Sequence, residues 1–245
     1  MKITILSDIH ANLSALSSVL EDIRSNHAVD AYVLLGDTVN YGMRPNETIL
    51  RLEQLDKPII GNIWGNHECA MVDDGQLPHF STDRGRSALI YMRNMLSEHS
   101  KQYLEKMTKT GCVELEIEGE GKKMLFVHGD MQDVYWGKMT EAEQHDECYK
   151  KYDFVLHGHS HVPQYNEVCF ADENPLMRNK KKTVFINPGS VGQPRNHNPR
   201  AQYAILDTET GECQLLSAEY NIAYEQSLYP VEIDSFYKER LERGV

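Results

Sequence analysis

The sequence predicts an α/β protein in which two packed sheets carry helices on their outer faces, on three grounds. The first sixty residues read strand–helix–strand–helix–strand, the order of parallel strands joined by helical crossovers. From Cys112 onward the strands come in close antiparallel succession. Finally, four short apolar runs end in residues of metal-binding type. They are Ile3–Leu6 before Asp8 and His10, Tyr32–Leu35 before Asp37, Met124–Val127 before His128, and Phe154–Leu156 before His157, His159 and His161. A brief apolar run bounded by turn signals is a strand buried on both faces. In open α/β sheets ligands gather beyond the carboxyl ends of such strands.

After the first strand, Asn12 caps a helix whose apolar residues Leu13, Leu16, Leu20 and Ile23 recur at spacings of three and four. The strand ending near Asp37 follows, and Pro45 then opens a second helix with Ile49, Leu52 and Leu55 on one face. Pro58-Ile59-Ile60 returns to the sheet and stops at Gly61. Ser81 to Lys109 reads as helical, its core stripe formed by Leu89, Met92, Met95 and Leu96, with Gly111 as the stop. Cys112–Glu118 and Lys122–Val127, joined by Gly119-Glu120-Gly121, alternate apolar residues with charge as a half-exposed hairpin does. Glu141–Lys151 is expected to be a polar helix, and Phe154–His157, Thr183–Asn187, Ala201–Asp207 and Glu212–Ala218 to be strands. Val231–Arg243 closes as a helix, and the Lys-rich stretch Asp172–Lys182 reads as a mobile surface loop.

A chain of 245 residues accommodates one large α/β domain. Its net charge of −12 argues against a bulk nucleic-acid or anionic-membrane surface, yet leaves room for a phosphate ester in a pocket whose sign divalent cations reverse. The five cysteines, Cys69, Cys112, Cys148, Cys169 and Cys213, are scattered and form no Cys-x-x-Cys, as expected of free thiols in a reducing compartment. Met1–Leu6 is too short for a signal sequence, and no window approaches the roughly 18 apolar residues of a membrane span. A cytoplasmic protein is expected. Oligomeric state leaves no mark on the sequence.

Five separated pieces carry metal-binding side chains: Asp8-Ile9-His10, Gly36-Asp37, Gly65-Asn66-His67-Glu68, His128-Gly129-Asp130 and Gly158-His159-Ser160-His161. Mixed carboxylate, amide oxygen and imidazole suit Mn, Fe, Zn, Ni or Co better than Mg or Ca, which prefer all-oxygen surroundings. Gly36, Gly65 and Gly158 precede the ligand types, where a chain leaving a strand must turn sharply. Each piece is a weak signal alone; their combination in this order is a strong one.

The same order resembles the calcineurin-like metallophosphoesterase superfamily, whose signature is Asp-x-His, Gly-Asp, Gly-Asn-His-Asp/Glu, a histidine after a strand, and Gly-His-x-His. The resemblance runs from Lys2 to Asp207 and is strongest to the small single-domain bacterial and archaeal phosphodiesterase-type members. Those carry Asp-Ile-His-x-Asn early and a block like Asn187-Pro188-Gly189-Ser190-Val191-Gly192-Gln193-Pro194-Arg195 late. It implies one metallophosphoesterase domain over residues 1–245, a four-layer α/β/β/α sandwich with two mixed β-sheets, and a two-metal site. By position, Asp8, His10 and His161 would hold one divalent transition-metal ion, and Asn66, His128 and His159 the other. Asp37 would bridge them, with Mn the first choice of metal.

The expected reaction is hydrolysis of a small phosphodiester or phosphomonoester by a metal-bridging hydroxide in line with the leaving oxygen. His67 resembles the family's non-ligand histidine, which protonates the leaving group or stabilises phosphoryl charge. In the protein-phosphatase branch an Asp three residues after the bridging carboxylate pairs with that histidine. Here the position is Asn40, which can orient an imidazole but cannot stabilise imidazolium by charge. Glu68 replaces the commoner Asp.

Arg195 and Arg44 are candidate phosphate clamps. Asp130 is either an imidazole partner or a loop cap. His157 is read as a strand-end residue, His27, His79, His99, His145 and His197 as surface residues, and Trp64 and Trp136 as packing. A nuclease would be expected to show a Lys/Arg stripe, which is absent. A non-catalytic scaffold of the same fold would be expected to have lost ligands, and all seven positions are filled.

Overall fold

The structure, a computed structural model, describes residues 1–171, 174, 176 and 181–245. The first sheet is built from β1 (Lys2–Leu6), β2 (Ala31–Leu34), β3 (Ile59–Asn62), β9 (Ala201–Asp207) and β10 (Cys213–Ala218), in the order β10-β9-β1-β2-β3. The second contains β4 (Cys112–Ile117), β5 (Lys122–Val127), β6 (Phe154–His157), β7 (Gln164–Cys169) and β8 (Lys182–Asn187), in the order β4-β5-β6-β8-β7. Each sheet has three parallel strands, β1–β2–β3 in one and β5–β6–β8 in the other. Antiparallel strands flank them: β9 and β10 on one edge of the first sheet, β4 and β7 on opposite edges of the second.

The uninterrupted apolar runs follow from burial on both faces. Along β1 and β2, Ile3, Ile5, Val33 and Leu35 point between the sheets. They meet Met124, Phe126, Phe154, Leu156 and Ile186 there. Leu6, Tyr32 and Leu34 point the other way, into a core shared with helices α1 (Leu13–Asn26) and α2 (Pro45–Glu53). Leu125, Val127, Val155 and Phe185 form the outer face of the second sheet. They lie under Met139, Tyr149, Tyr152 and Phe170, and among the described residues α6 (Glu141–Gln144) and a 3-10 turn at Glu147–Tyr149 supply the thin helical layer there.

Local sequence fixes the helix ends. The Asn12 side chain accepts from the Ala15 N–H at 3.0 Å and starts α1, and Pro45 occupies the first turn of α2. The long helix expected over Ser81–Lys109 is two helices, α4 (Asp83–Met95) and α5 (Glu98–Lys106). Thr82 and Ser97 each accept a backbone N–H three residues ahead, and the Ser97 cap stops one helix and begins the next. Glu141–Lys151 is likewise broken, with Asp146 capping the 3-10 turn. The C-terminal segment holds two helices, α7 (Ile222–Ser227) and α8 (Phe236–Arg243), so helix begins five residues after Val231. Strand β7 and the short helix α3 (Asn66–Val72) have no counterpart in the sequence expectations. Most of Asp172–Lys182 lies outside the described residues, and Lys182 opens β8.

No helix among the described residues is long and apolar enough to cross a membrane. All five cysteines are free.

Candidate metal centre

Parallel strands of both sheets deliver their carboxyl ends to one cleft. Asp8 and His10 follow β1, Asp37 follows β2, Asn66 and His67 open α3 after β3, His128 follows β5, and His159 and His161 follow β6. Asp8, His10, Asp37 and His161 bring one ligand atom each to within 4.8 Å of one another, and Asp37, His128 and His159 do the same. Asp37 belongs to both groups. Asn66 joins the second, its Oδ1 lying 3.0 Å from His128 Nε2 and 3.0 Å from His159 Nδ1. All seven residues named from the sequence as metal ligands therefore converge.

The hydrogen bonds around the imidazoles fix where their lone pairs point. Nδ1 of His10, His128 and His161 faces the carbonyl oxygens of Val39, Leu35 and Gln193 at 3.2, 2.7 and 2.6 Å. A carbonyl only accepts, so each Nδ1 carries a proton, and the rings of His10 and His161, kept neutral by burial, turn a bare Nε2 inward. His10 and His161 then place two Nε2 atoms 3.2 Å apart, with Asp8 Oδ1 3.1 Å from the latter. Asp8 Oδ1 and Asp37 Oδ2 are buried and accept no hydrogen bond, while Ser7 Oγ donates to Asp8 Oδ2 at 2.6 Å and the His67 N–H to Asp37 Oδ1 at 2.9 Å. Lone pairs and carboxylate oxygens crowded together in a buried site repel unless a cation lies among them. Carboxylate, amide oxygen and imidazole fit divalent transition metals.

Titration follows the same geometry. Burial alone would raise Asp37, but the imidazoles of His128, His67 and His10 outweigh it and hold its carboxyl well below the usual carboxylate range. Burial alone would lower His128, yet Asp37 and Asp8 lift it to about 9. Left to the protein's own groups, a proton on His128 supplies the positive charge that the acceptors need. Burial pushes His10 and His161 well down, and His159 to about 3.

Backbone conformation is spent on this arrangement. Asp8, His10, Asp37, His159 and His161 all have positive φ, between 48° and 63°, and Asn40 has φ 75°. Asp, Asn and His tolerate the left-handed region better than other residues with a Cβ, at a cost of about 1–3 kcal/mol each. Of the three glycines preceding ligand types, Gly36 alone adopts a left-handed conformation, φ +91°. At Gly65 the need is close approach, since a Cβ there would lie 2.2 Å from Asp37 Oδ1 and 2.7 Å from His128 Cε1. Gly65→Ala is expected to lose roughly 1–3 kcal/mol of stability and most of its bound metal, measured by thermal unfolding and metal analysis.

His67 lies on α3 with Nδ1 2.7 Å from Asn40 Nδ2 and Nε2 3.8 Å from Asp37 Oδ2. Burial lowers its pKa to about 4, so the ring is neutral near pH 7. With the amide nitrogen toward Nδ1, the proton sits on Nε2, facing the cleft. The cleft, about 190 Å³, is lined by Asp37, Asn66, His67, Trp136, Arg195 and Tyr237 among others.

Other residues weighed from the sequence separate clearly. The Arg44 guanidinium pairs with buried Glu225 of α7 instead of facing the donors. Asp130 Oδ1 accepts from the N–H groups of Gln132 and Asp133 at 2.8 Å each, a loop cap. His157 is buried but stands outside both donor groups, and the Trp64 indole donates to Leu104 O at 2.7 Å as a packing residue. His79, expected at the surface, is exposed yet lines the cleft and stacks on Trp136, ring centres 4.9 Å apart.

The late block supports the donors from behind. Gln193 O holds His161, Ser190 Oγ donates to Asp8 O at 2.7 Å, and Asn187 Nδ2 donates to Gly158 O at 2.9 Å. Glu68 is the residue that sequence reasoning left without a role. Its carboxylate accepts from the backbone N–H groups of Asp37, Thr38, Val39 and Gly65 at 2.7–3.2 Å, tying the turn that bears Asp37 to the start of α3.

A family model for the calcineurin-like phosphoesterase superfamily domain matches residues 1–211. Protein MJ0912 of Methanocaldococcus jannaschii is 30% identical over 229 residues, covering 91% of this chain and 90% of that protein. Phosphodiesterase YfcE of Escherichia coli K12 is 24% identical over 217 residues, covering 85% and 89%. Among solved structures, a metallophosphoesterase from Sphaerobacter thermophilus aligns over 100% of this chain and 99% of its own, at 28% identity and TM-score 0.73. Protein PH1004 of Pyrococcus horikoshii OT3 shares the fold at 19% identity and TM-score 0.80, over 100% and 98%. With the signature blocks converging on one buried carboxylate–imidazole cluster, the chain belongs to the calcineurin-like phosphoesterase superfamily and is a metal-dependent phosphoesterase.

Proposed function

We propose that the chain hydrolyses small phosphodiesters or phosphomonoesters at a dinuclear centre. Asp8, His10 and His161 would hold one divalent ion, Asn66, His128 and His159 the other, and Asp37 both. The observation that carries this reading is the pair of donor groups sharing Asp37. Mn is the first candidate, with Fe, Zn, Ni and Co compatible with the same donors. Ions bound there would neutralise phosphate charge and lower the pKa of bound water to near neutrality.

The chain's own residues supply the rest. The buried donors, each backed by a carbonyl, a serine hydroxyl or a glycine-tight turn, are preorganised and need no rearrangement when substrate arrives. His67 presents Nε2–H to the cleft as a neutral donor to a phosphoryl or leaving oxygen, oriented by Asn40. A neutral imidazole is a poor proton donor, so substrates with good leaving groups are favoured. The cleft is sized for a small ester, and the chain's net charge of −12 makes an extended nucleic-acid partner unfavourable.

The test is a rate series of aryl phosphodiesters against leaving-group pKa, with Mn²⁺-loaded protein. A steep fall with rising leaving-group pKa is expected, and Asn40→Asp should flatten it by stabilising imidazolium. A flat series in the wild type would count against the proton-poor role of His67, and no hydrolysis of any ester against the whole reading.

A further inference from the structure

Four side chains hold His67, and two of them are adjacent residues of one loop. Asn40 Nδ2 donates to its Nδ1 at 2.7 Å. The rings of Tyr41, His10 and Phe80 stand edge-to-face to the imidazole, their centres 4.7, 4.9 and 5.3 Å away. The hydrogen bond fixes one atom of the ring, whereas the ring contacts fix its plane.

The Tyr41 contact comes with backbone strain. Asn40 and Tyr41 have φ of 75° and 65°. Among the described residues with a Cβ and positive φ, Ala11 and Tyr41 alone are not Asp, Asn or His, and Tyr41 is the bulkier. The Gly42 N–H is shared between His10 O at 3.0 Å and Asn40 O at 2.9 Å, and the Arg44 N–H donates to Ala11 O at 3.3 Å. These bonds press the loop against the turn that carries His10. Strain of this kind persists where the surroundings over-determine it, and it clusters at sites with a task.

Part of those surroundings comes from the far end of the chain. Tyr237 of α8 is buried and stacks on the Tyr41 ring, centres 4.9 Å apart and planes 21° from parallel. Three residues after Tyr41, the Arg44 guanidinium donates to Ser14 Oγ at 2.6 Å and to the fully buried Glu225 of α7. Gln226 Nε2 donates to Lys238 O at 2.9 Å and joins α7 to α8. The His197 N–H donates to Gly244 O at 2.8 Å and pins the end of α8. Two separate contacts from the C-terminal segment therefore clamp the Asn40–Arg44 loop. The family model ends at residue 211, so Tyr237 and Glu225 lie outside the stretch it matches.

We propose that Tyr41 is a positioning residue for His67, and that the C-terminal segment keeps it in place through Tyr237 and Glu225. The catalytic task of His67 rests on the phosphoesterase reading of the same cleft; the ring contacts do not. An imidazole already held in one plane needs no ordering when substrate arrives. Tyr41 also packs on His10, ring centres 4.8 Å apart, so action through the metal donors is the competing route.

The mobility of the His67 ring tests the proposal, read from ¹³C relaxation of its Cε1 and Cδ2 in Zn²⁺-loaded protein. An order parameter of about 0.85 is expected in the wild type and in Tyr41→Phe, which keeps the ring. Tyr41→Asn removes the ring but supplies a residue tolerant of positive φ, and a value below about 0.6 is expected. Tyr237→Leu and, independently, Glu225→Gln are expected to lower it in the same direction. A rigid His67 in Tyr41→Asn overturns the proposal, and a rigid His67 in both C-terminal variants removes that segment from it. Hydrolysis of bis(p-nitrophenyl) phosphate by Mn²⁺-loaded protein gives a second readout. Tyr41→Asn is expected to lower kcat about tenfold at unchanged metal content, but less than about twofold in a His67→Ala background. Equal losses in both backgrounds, or a loss that follows metal content, would place the action of Tyr41 on His10 or the fold and overturn the role. If the wild type hydrolyses no ester, the phosphoesterase reading falls, and the relaxation result still decides whether Tyr41 holds His67.

Discussion

Asp37→Asn is expected to lower the rate of phosphodiester hydrolysis by at least about 10³-fold, equivalent to roughly 4 kcal/mol of transition-state stabilisation. The two side chains have nearly the same shape, so the change isolates charge and donor chemistry. Asp37 Oδ2 lies 3.3 Å from His128 Nε2, 3.8 Å from His10 Nε2 and 3.8 Å from His67 Nε2, accepting no hydrogen bond. It is the member common to both donor groups. An amide there removes the negative charge between two proposed cation positions and, in one orientation, turns an N–H₂ toward them. Metal content per chain should fall with the rate. A ligand that binds only the folded state stabilises it by mass action, so a chelator should lower the unfolding temperature of the wild type and scarcely move that of the variant. A variant that keeps both its metal and its rate would remove Asp37 from the centre.

How much of this centre could be read from the sequence depended on whether a residue's role was local. Runs such as Ile3–Leu6 and Met124–Val127 are apolar at every position because both faces of both sheets are covered, so the strands and their ligand-bearing ends were legible. Asn12 and Pro45 announced their helices by capping chemistry within a few residues. The apolar periodicity of Ser81–Lys109 ran through the break at Leu96-Ser97, where the cap at Ser97 was the only signal. Helix α3 was hidden for another reason. It has seven residues, and its buried side chains run from polar Asn66, His67 and Glu68 straight into Cys69, Ala70 and Met71, so it shows no amphipathic stripe. The Arg84–Phe236 contact and the Arg44–Glu225 pair join residues far apart in the chain, through the packing of α4 beside α8 and of α7 against Arg44. Pattern within one window carries no trace of such contacts.

Glu68 is the sharpest case of a role set by distant partners, and Glu68→Gln is expected to be among the most destabilising isosteric changes in the chain. Oε1 accepts from Thr38 and Val39 at 2.7 and 3.2 Å, and Oε2 from Asp37 and Gly65 at 2.8 Å each. The group is fully buried, and desolvation together with Asp37 pushes its pKa up to about 7. Four inward-pointing N–H donors act against that rise, and they select the carboxylate, because a carboxylate accepts on both oxygens. Glutamine accepts on one. Its NH₂ must face two backbone N–H groups, leaving two buried donors unsatisfied at about 1–3 kcal/mol each. The expected loss is roughly 3–5 kcal/mol, or about 10 °C in unfolding temperature for a chain of this size. The strain is felt first at the turn holding Asp37 at φ 53°, so metal affinity should fall with stability, although Glu68 itself belongs to neither donor group. Calorimetric unfolding with and without chelator separates the two effects. A Glu68→Gln protein that unfolds within about 2 °C of the wild type would show that the four N–H groups find other acceptors, and that the turn keeps its shape without this carboxylate.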